Sequence, residues 1–506
     1  MSSAAPVSAD PAGAPTTSGL DRWFEISRRG STVSREVRGG LVTFFAMAYI
    51  FALNPLIIGT AADSRGLLIS GLPKLDAAGQ PIAANVSGSI AMVAAATALI
   101  AGIMTILMGV VGRYPLGLAA GLGINAMLAY IVAPKVTWPQ AMGLIVWEGI
   151  AITILVLTGF REAVFKAVPR PLRTGISIGI GLFIAFVGLV DAGVIRRGSG
   201  TLVELGIGGS LTGWPIGIFV VGLIVLVLLF AARVRGAMLI SIVAMTLVSV
   251  IVEGVFHLGP QAEGANPTGW ALNVPALPAT GGILSAPDFG IIGRVDMLGA
   301  FSGGPDVVVA MVMTIFALLL ADFFDTMGTI VAVGAEGNLL DADGNPPHTR
   351  EVLLVDSLAA LGGGLGSASS NTSFIESAAG VGEGARTGLA SVVTGLAFIA
   401  TLFLSPLVNM VPSEAVAPVL VFVGFLMMEQ VGTIDWTNVE EGIPVFLTSI
   451  LMPLTYSITN GIGAGLVFFV LIKAVRGKAK EIHPLMWAVA VAFVLYFSQA
   501  LITSLF

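Results

Sequence analysis

Asp322 and Asp325 stand three residues apart inside an otherwise apolar stretch, Phe316-Ala-Leu-Leu-Leu-Ala-Asp322-Phe-Phe-Asp325-Thr-Met-Gly-Thr-Ile330. Helical spacing of three puts both side chains on nearly one face. A carboxylate at a helix centre in hydrocarbon costs roughly 2.5–3.5 kcal/mol on insertion scales. One side of this stretch must therefore look into a polar cavity rather than lipid. Membrane proteins accept that cost mainly where a substrate or an ion is handled, so the pair implies a transport site.

Two further runs mix polar residues with small ones at what would be membrane depth. The first is Pro115-Leu-Gly-Leu-Ala-Ala-Gly121-Leu-Gly123-Ile-Asn125-Ala-Met-Leu-Ala-Tyr130. The second is Ser367-Ala-Ser-Ser-Asn371-Thr372-Ser373-Phe374-Ile-Glu376-Ser377-Ala-Ala-Gly380. Each reads as an extended piece leading into a half-helix. Non-helical backbone survives at that depth only where it is buried in protein or lines a cavity. Its free N–H and C=O groups, with the half-helix N-termini, can then bind a polar ligand. Asn125, Thr372, Ser373 and Glu376 suit the edges of a planar heterocycle, and Phe374 suits its face.

Each of these residues also has a structural explanation. Glu376 follows Ser373 by three, the spacing of a capping box. Asn125 could cap its own half-helix, Phe374 could be plain packing, and Asp325 could hydrogen-bond a neighbouring broken helix. Glu148 and Asp356, in other spans, read as facing partners or near-interface groups and stay outside the expected site.

The elements that must position these residues are membrane helices. Hydrophobic residues make up 56% of the chain and charged residues 11%, against roughly 25% charged in soluble domains; the mean hydropathy is +0.96. There is no cysteine, which excludes disulfides, thiolate chemistry and Cys-based zinc sites. His257, His348 and His483 fall in expected loops or at segment ends, leaving no imidazole to carry protons within the membrane. No basic surface for a nucleic acid is apparent.

Apolar spans of crossing length are expected at 41–59, 90–111, 115–132 (short and Gly-broken), 141–158, 173–190, 214–232 and 236–255. A polar loop at about 257–304 divides the chain. The second half is expected to cross at 307–333, 352–365, 367–382 (Ser-rich), 387–404, 415–429, 442–456 and 458–475, followed by an apolar segment at 484–506. With the N-terminus inside, Arg113, Arg161, Lys166, Arg170, Arg173, Arg233, Arg235, Arg386, Lys473, Arg476, Lys478 and Lys480 all fall on the cytoplasmic side, as the positive-inside rule asks. Residues 1–38 read as a disordered tail followed by a basic amphipathic stretch. Seven segments on each side of the loop, an odd number, imply halves of opposite orientation, a recurrent secondary-transporter plan.

Five phrases then carry a resemblance: Thr43-Phe-Phe-Ala-Met-Ala-Tyr-Ile-Phe-Ala-Leu-Asn54-Pro55, Gly121-Leu-Gly-Ile-Asn125, Asp322-Phe-Phe-Asp325-Thr-Met-Gly-Thr329, Ser373-Phe-Ile-Glu376-Ser-Ala-Ala-Gly-Val381 with Gly384-Ala-Arg386-Thr-Gly388, and Leu451-Met-Pro-Leu-Thr-Tyr-Ser457-Ile. In order along nearly the whole chain, they resemble the AzgA-like branch of the xanthine/uracil/ascorbate permeases, which carries adenine, guanine and hypoxanthine by proton symport. The first phrase departs from it at Phe44-Phe45-Ala46, bulkier than the Leu/Thr-type residues expected.

The resemblance implies an all-α polytopic membrane protein of 7+7 inverted repeats. A core domain (39–160 and 305–405, segments 1–4 and 8–11) would face a gate domain (161–256 and 406–476, segments 5–7 and 12–14), with 257–304 outside and 477–506 as a terminal apolar segment. It also implies that Asp322 and Glu376 bind substrate with Asn125, that Asp322 is linked to the proton, and that Asp435 acts at the periphery. Asp325 joins Asp322 as a proton-coupling candidate. The expected cargo is a purine base, the location is the cell membrane, and no cofactor beyond the coupling proton is implied. A homodimer is left open. The alternatives are another substrate on the same fold, such as uracil, xanthine or an anion, and a membrane-embedded enzyme. Repulsion from Asp322, Asp325 and Glu376 argues against an anion, and the lack of Cys and intramembrane His argues against a metalloenzyme.

Overall fold

The computed structural model describes residues 19–504 except 160–167, 199, 235, 263–265, 278–281, 283 and 341–345. Most of the expected N-terminal tail, together with Arg161, Lys166 and Arg235, lies outside the described residues.

A short helix α1 (Gly19–Phe24) leads into α2 (Val33–Met47), whose start is capped by the Thr32 hydroxyl accepting from the Arg35 N–H at 3.3 Å. Helix α2 and α3 (Ile50–Thr60) make one apolar span interrupted at Ala48–Tyr49, where the chain turns without a proline. Then come α4 (Ala83–Leu107), strand β1 (Leu118–Ala120), half-helix α5 (Leu122–Met127) and α6 (Trp138–Leu157). A Thr137–Gln140 capping box starts α6. Helix α7 (Arg170–Asp191), a small ribbon β2 (Ile195–Arg196) and β3 (Glu204–Leu205), α8 (Trp214–Ala231) and α9 (Ala237–Phe256) complete the first half.

The second half repeats the plan. Helices α10 (Pro305–Glu336) and α11 (Thr349–Leu365) precede strand β4 (Asn371–Ser373), half-helix α12 (Ser377–Gly382) and α13 (Gly388–Ala400). Helices α14 (Ser413–Met428), α15 (Val439–Leu454), α16 (Ile458–Val475) and α17 (Pro484–Ser504) follow. Among the described residues nine helical stretches are long and apolar enough to cross a membrane. The two strand-plus-half-helix segments and the shorter helices α11, α13 and α15 fill the remaining expected crossings in order. Only ~20 residues of continuous helix span a bilayer unaided, so a segment that is part strand needs fewer.

The packing repeats between the halves. Helix α4 lies on α13 as α6 lies on α11, α2 packs on α13 as α10 packs on α6, and α7 pairs extensively with α14. These are the contacts a two-fold relation between the halves predicts. Small residues let the backbones close in: a Cβ placed on Gly109 or Gly388 would run into the other residue's carbonyl oxygen. Phe44, the bulky departure in the first motif, packs edge-on to Phe398 at 5.2 Å, while Phe45 points outward and is exposed. Helix α17 packs on α16, with Phe493 set against Gly463.

Candidate functional site

The two broken segments meet in the middle. Strand β1 pairs antiparallel with β4, Leu118 opposite Ser373, Ala119 opposite Thr372 and Ala120 opposite Asn371. The ladder continues beyond both ends, from Gly121 N–H to the Ser370 carbonyl at 2.9 Å and from Phe374 N–H to the Gly117 carbonyl at 3.0 Å. Buried backbone that has left its helix must find partners, and each broken segment supplies them to the other. Half-helices α5 and α12 each follow their strand in the chain, so they leave from opposite ends of the antiparallel pair.

At the end of β4 the chain places Phe374 and Glu376 opposite the turn in the first span. Tyr49, buried at that turn, donates its hydroxyl to Glu376 Oε1 at 2.6 Å, and its ring lies 6.4 Å from that of Phe374. Asp325 on α10 acts electrostatically on both Glu376 and Tyr49. The carboxyl-bearing side of this group is accessible: Asp325 and Ile375 are exposed, Glu376 is half-buried, and Ala379 and Gly382 continue the open face along α12. The capping box expected of Ser373 and Glu376 does not form. Ser373 is in the strand, and Glu376 itself occupies the N-cap position with its side chain turned to Tyr49. Asn125 is likewise no cap: Gly121 takes that position, and Asn125 sits inside α5, fully buried, with neither amide atom hydrogen-bonded among the described residues.

Asp322 lies deeper, at 1% exposure, with neither carboxylate oxygen hydrogen-bonded among the described residues. The neighbouring Thr372 hydroxyl is engaged instead with that of Thr326 at 2.7 Å. Thr326 and Ser373 both donate to Asp356 Oδ1, at 3.1 and 2.8 Å, and Ser370 donates to Glu148 Oε1 at 3.3 Å. Asp356 and Glu148 are fully buried and act electrostatically on Asp322. Sequence reasoning left both acids outside the expected site; in the structure helices α6, α10 and α11 bring their carboxyls close together around β4 and its approach. The signal was present, since any acid within a membrane span is a functional candidate by default. Tyr49 was missed for the opposite reason, being one aromatic residue among many apolar neighbours. Asp435, expected at the periphery, is exposed in the loop before α15, where hydrogen bonds from Thr437 hold its carboxyl below the usual range.

The other end is shut. Tyr130, beyond α5, donates to Asp191 Oδ2 at the end of α7 at 2.9 Å. Tyr456 packs edge-on to Tyr130 and Phe183 at 6.4 and 5.3 Å. Leu53, Leu56 and Ile57 of α3 meet Val416, Ala417 and Leu420 of α14 around a space of only about 10 Å³.

Comparison with known proteins places this architecture. The sequence profile described as "Permease family", that of the xanthine/uracil permeases, matches residues 79–464. The chain belongs to this family. Within it the permease falls on the purine branch of the nucleobase–ascorbate transporter superfamily. It is 35% identical to the guanine/hypoxanthine permease PbuG of Bacillus subtilis over 94% of this chain and 99% of that one. It is 34% identical to the adenine permease AdeP of Escherichia coli, over 94% and 95% of the two chains. Among solved structures it is similar in fold to the transmembrane domain of the cyanobacterial bicarbonate transporter BicA (TM-score 0.54, 15% identity, 85% of this chain and 97% of that one). It is similar also to the murine anion transporter Slc26a9 in its inward-facing state (TM-score 0.57, 13% identity, 93% and 74%). The permease is thus a multi-pass membrane protein with the core-and-gate fold of those transporters.

Proposed function

We propose that this permease imports purine nucleobases (hypoxanthine, guanine or adenine) together with protons across the cell membrane, its N-terminus facing the cytoplasm. The observation that carries the proposal is the cluster at the end of the paired strands in which exposed Asp325 and half-buried Glu376 meet the buried rings of Tyr49 and Phe374. The names of the relatives on the purine branch support it.

A neutral purine offers ring N–H donors and ring-nitrogen acceptors along one flat edge. A carboxylate accepts from such donors, and charge-assisted hydrogen bonds are about twice as strong as neutral ones. In this proposal Glu376 accepts from the base edge, the Tyr49 hydroxyl fixes which carboxylate oxygen is free, and Phe374 offers a ring face. Asn125, with both amide atoms unsatisfied, completes the hydrogen bonding from the first half. Leaving such a buried amide unpaired is costly, and a ligand relieves the cost. Thr372 and Ser373 contribute through the strand that carries Phe374 and Glu376, their hydroxyls being engaged by Thr326 and Asp356. Asp322 and Asp325 hold the coupling proton.

Translocation in this proposal slides the segments bearing α2–α6 and α10–α13, with the paired strands, against α7–α9 and α14–α16. The Tyr130–Asp191 contact breaks as the far end opens. An anion, the cargo named for BicA and Slc26a9, would meet three carboxylates at this site with no described Lys, Arg or His paired to them, and repulsion disfavours it.

The test is a radiolabelled uptake panel of hypoxanthine, guanine, adenine, xanthine and uracil in cells lacking their own purine carriers, with and without a protonophore. Saturable uptake of at least one of the three purines, collapsed by the protonophore, is expected. No purine uptake at verified membrane expression overturns the proposal.

A further inference from the structure

Behind the open cluster lies a second polar site that faces no solvent. Glu148 on α6 is fully buried; its Oε1 accepts one hydrogen bond, from Ser370 at 3.3 Å, and its Oε2 accepts none among the described residues. Neither oxygen of Asp322 is hydrogen-bonded among the described residues, the neighbouring Thr372 hydroxyl being engaged with Thr326. Asp356 differs, since its Oδ1 accepts from both Ser373 and Thr326. Asn371, which lies between Ser370 and Ser373 in this row, is 1% exposed, and neither of its amide atoms has a partner among the described residues.

The three acids gather around one short segment and act on one another electrostatically: Ser370 holds Glu148 of α6, Ser373 holds Asp356 of α11, and Thr326, one turn along α10 from Asp322, bonds both Asp356 and Thr372. No Lys, Arg or His among the described residues forms an ion pair with Glu148 or Asp322. An ionised carboxylate out of water needs donors. Asp356 has them, whereas Glu148 and Asp322 largely lack them. Carboxyls that lack donors and share a site with a like charge hold protons, and such a cluster titrates as a unit.

We infer that Glu148 is part of a proton-binding site, shared with Asp322 and Asp356 through the Ser370–Ser373 hydroxyl row, separate from the surface that touches the purine. The inference rests on the proton-symport reading above and adds to it where the proton resides. Strand β4 carries Phe374 and Glu376 at its end, so a change of protonation behind the strand is felt where the base binds. Glu148 acts through that strand and is not a substrate contact.

The test uses purified permease in proteoliposomes, with two assays. Purine counterflow without a gradient reads binding and exchange; accumulation driven by a pH gradient, in sodium-free buffer, reads coupling. Glu148→Gln is isosteric and can still accept from Ser370. It is expected to keep counterflow within about 2-fold of the unsubstituted protein at neutral pH. Gradient-driven accumulation is expected to fall at least 10-fold and the pH dependence of counterflow to flatten. Glu148→Asp is expected to restore part of the coupling. Wild-type coupling and an unchanged pH profile in Glu148→Gln overturn the inference, as does accumulation driven by a sodium gradient instead of protons. If Glu148→Gln does not fold, Ser370→Ala decides: a displaced pH profile supports the shared site and an unmoved one removes it. Loss of counterflow in the unsubstituted permease would instead refute the transport reading itself.

Discussion

The hydroxyl of Tyr49 donates to Glu376 Oε1 at 2.6 Å, joining the turn in the first membrane span to the start of a half-helix 327 residues later. The hydrogen bond orients a half-buried carboxylate that would otherwise be free to rotate. Tyr49→Phe keeps the ring against Phe374 and removes only the donor. Losing a hydrogen bond to a charged group costs about 1.5–3 kcal/mol, or roughly 10- to 150-fold in affinity. Purine uptake by Tyr49→Phe is therefore expected to show a KM raised at least 10-fold at unchanged membrane expression. A KM within 2-fold of the unsubstituted protein would mean that Glu376 needs no such support.

Glu376→Gln separates charge from shape. The amide oxygen can still accept from Tyr49, so the local fold is retained, and there is no capping box to preserve. What disappears is the anionic acceptor that the proposed function assigns to a purine N–H. Charge-assisted hydrogen bonds are about twice as strong as neutral ones, so affinity is expected to drop 10-fold or more. Equilibrium binding of labelled hypoxanthine, guanine and adenine to the detergent-purified protein measures it. Unaltered binding of all three would take Glu376 out of the substrate site.

Much of this architecture was legible in the sequence because lipid imposes a simple rule on chain length and polarity. Apolar runs bounded by Arg, Lys, Gly and Pro gave the crossings in order, with helix ends displaced by a few residues, as in α2, which starts at Val33 rather than Leu41. The two broken segments were legible for the same reason, since polar, Gly-rich or Ser-rich stretches cannot face lipid. Roles within them were harder to read. Ser373 and Glu376 have the spacing of a cap, yet a strand ends between them and Asp356 takes the serine. Glu148 and Asp356 looked isolated because their proximity exists only after α6 packs on α11. The Tyr49 contact is likewise tertiary, and no local pattern announces it.

The close approach of α4 and α13 makes a stability prediction. Gly109 and Gly388 face each other so tightly that a methyl group on either meets the opposing carbonyl oxygen, backbone that cannot swing aside. Overpacking of this kind costs typically 1–3 kcal/mol. Gly388→Ala is expected to lower the thermal midpoint of the purified permease. Gly217→Ala is the control: it lies in α8 with nothing within 4 Å of the new methyl, where helix propensity favours alanine by up to about 1 kcal/mol. The two substitutions should move the midpoint in opposite directions. Equal, small effects would show that the two helices are free to separate.

The Tyr130–Asp191 hydrogen bond predicts a change in access at the shut end. It ties the first broken segment to the end of α7, and in the proposed translocation it is one of the contacts that part when that end opens. A hydrogen bond contributes about 0.5–1.5 kcal/mol, so Tyr130→Phe is expected to raise the population open at that end by about 2- to 10-fold. The permease has no cysteine, which makes single-cysteine labelling clean. Leu56→Cys, buried against α14, should react with a maleimide correspondingly faster in the Tyr130→Phe background. Ala379→Cys, already exposed on the open face, should react no faster. A Leu56→Cys rate indifferent to Tyr130 would mean that the seal depends on the apolar contact of α3 with α14 and not on this hydrogen bond.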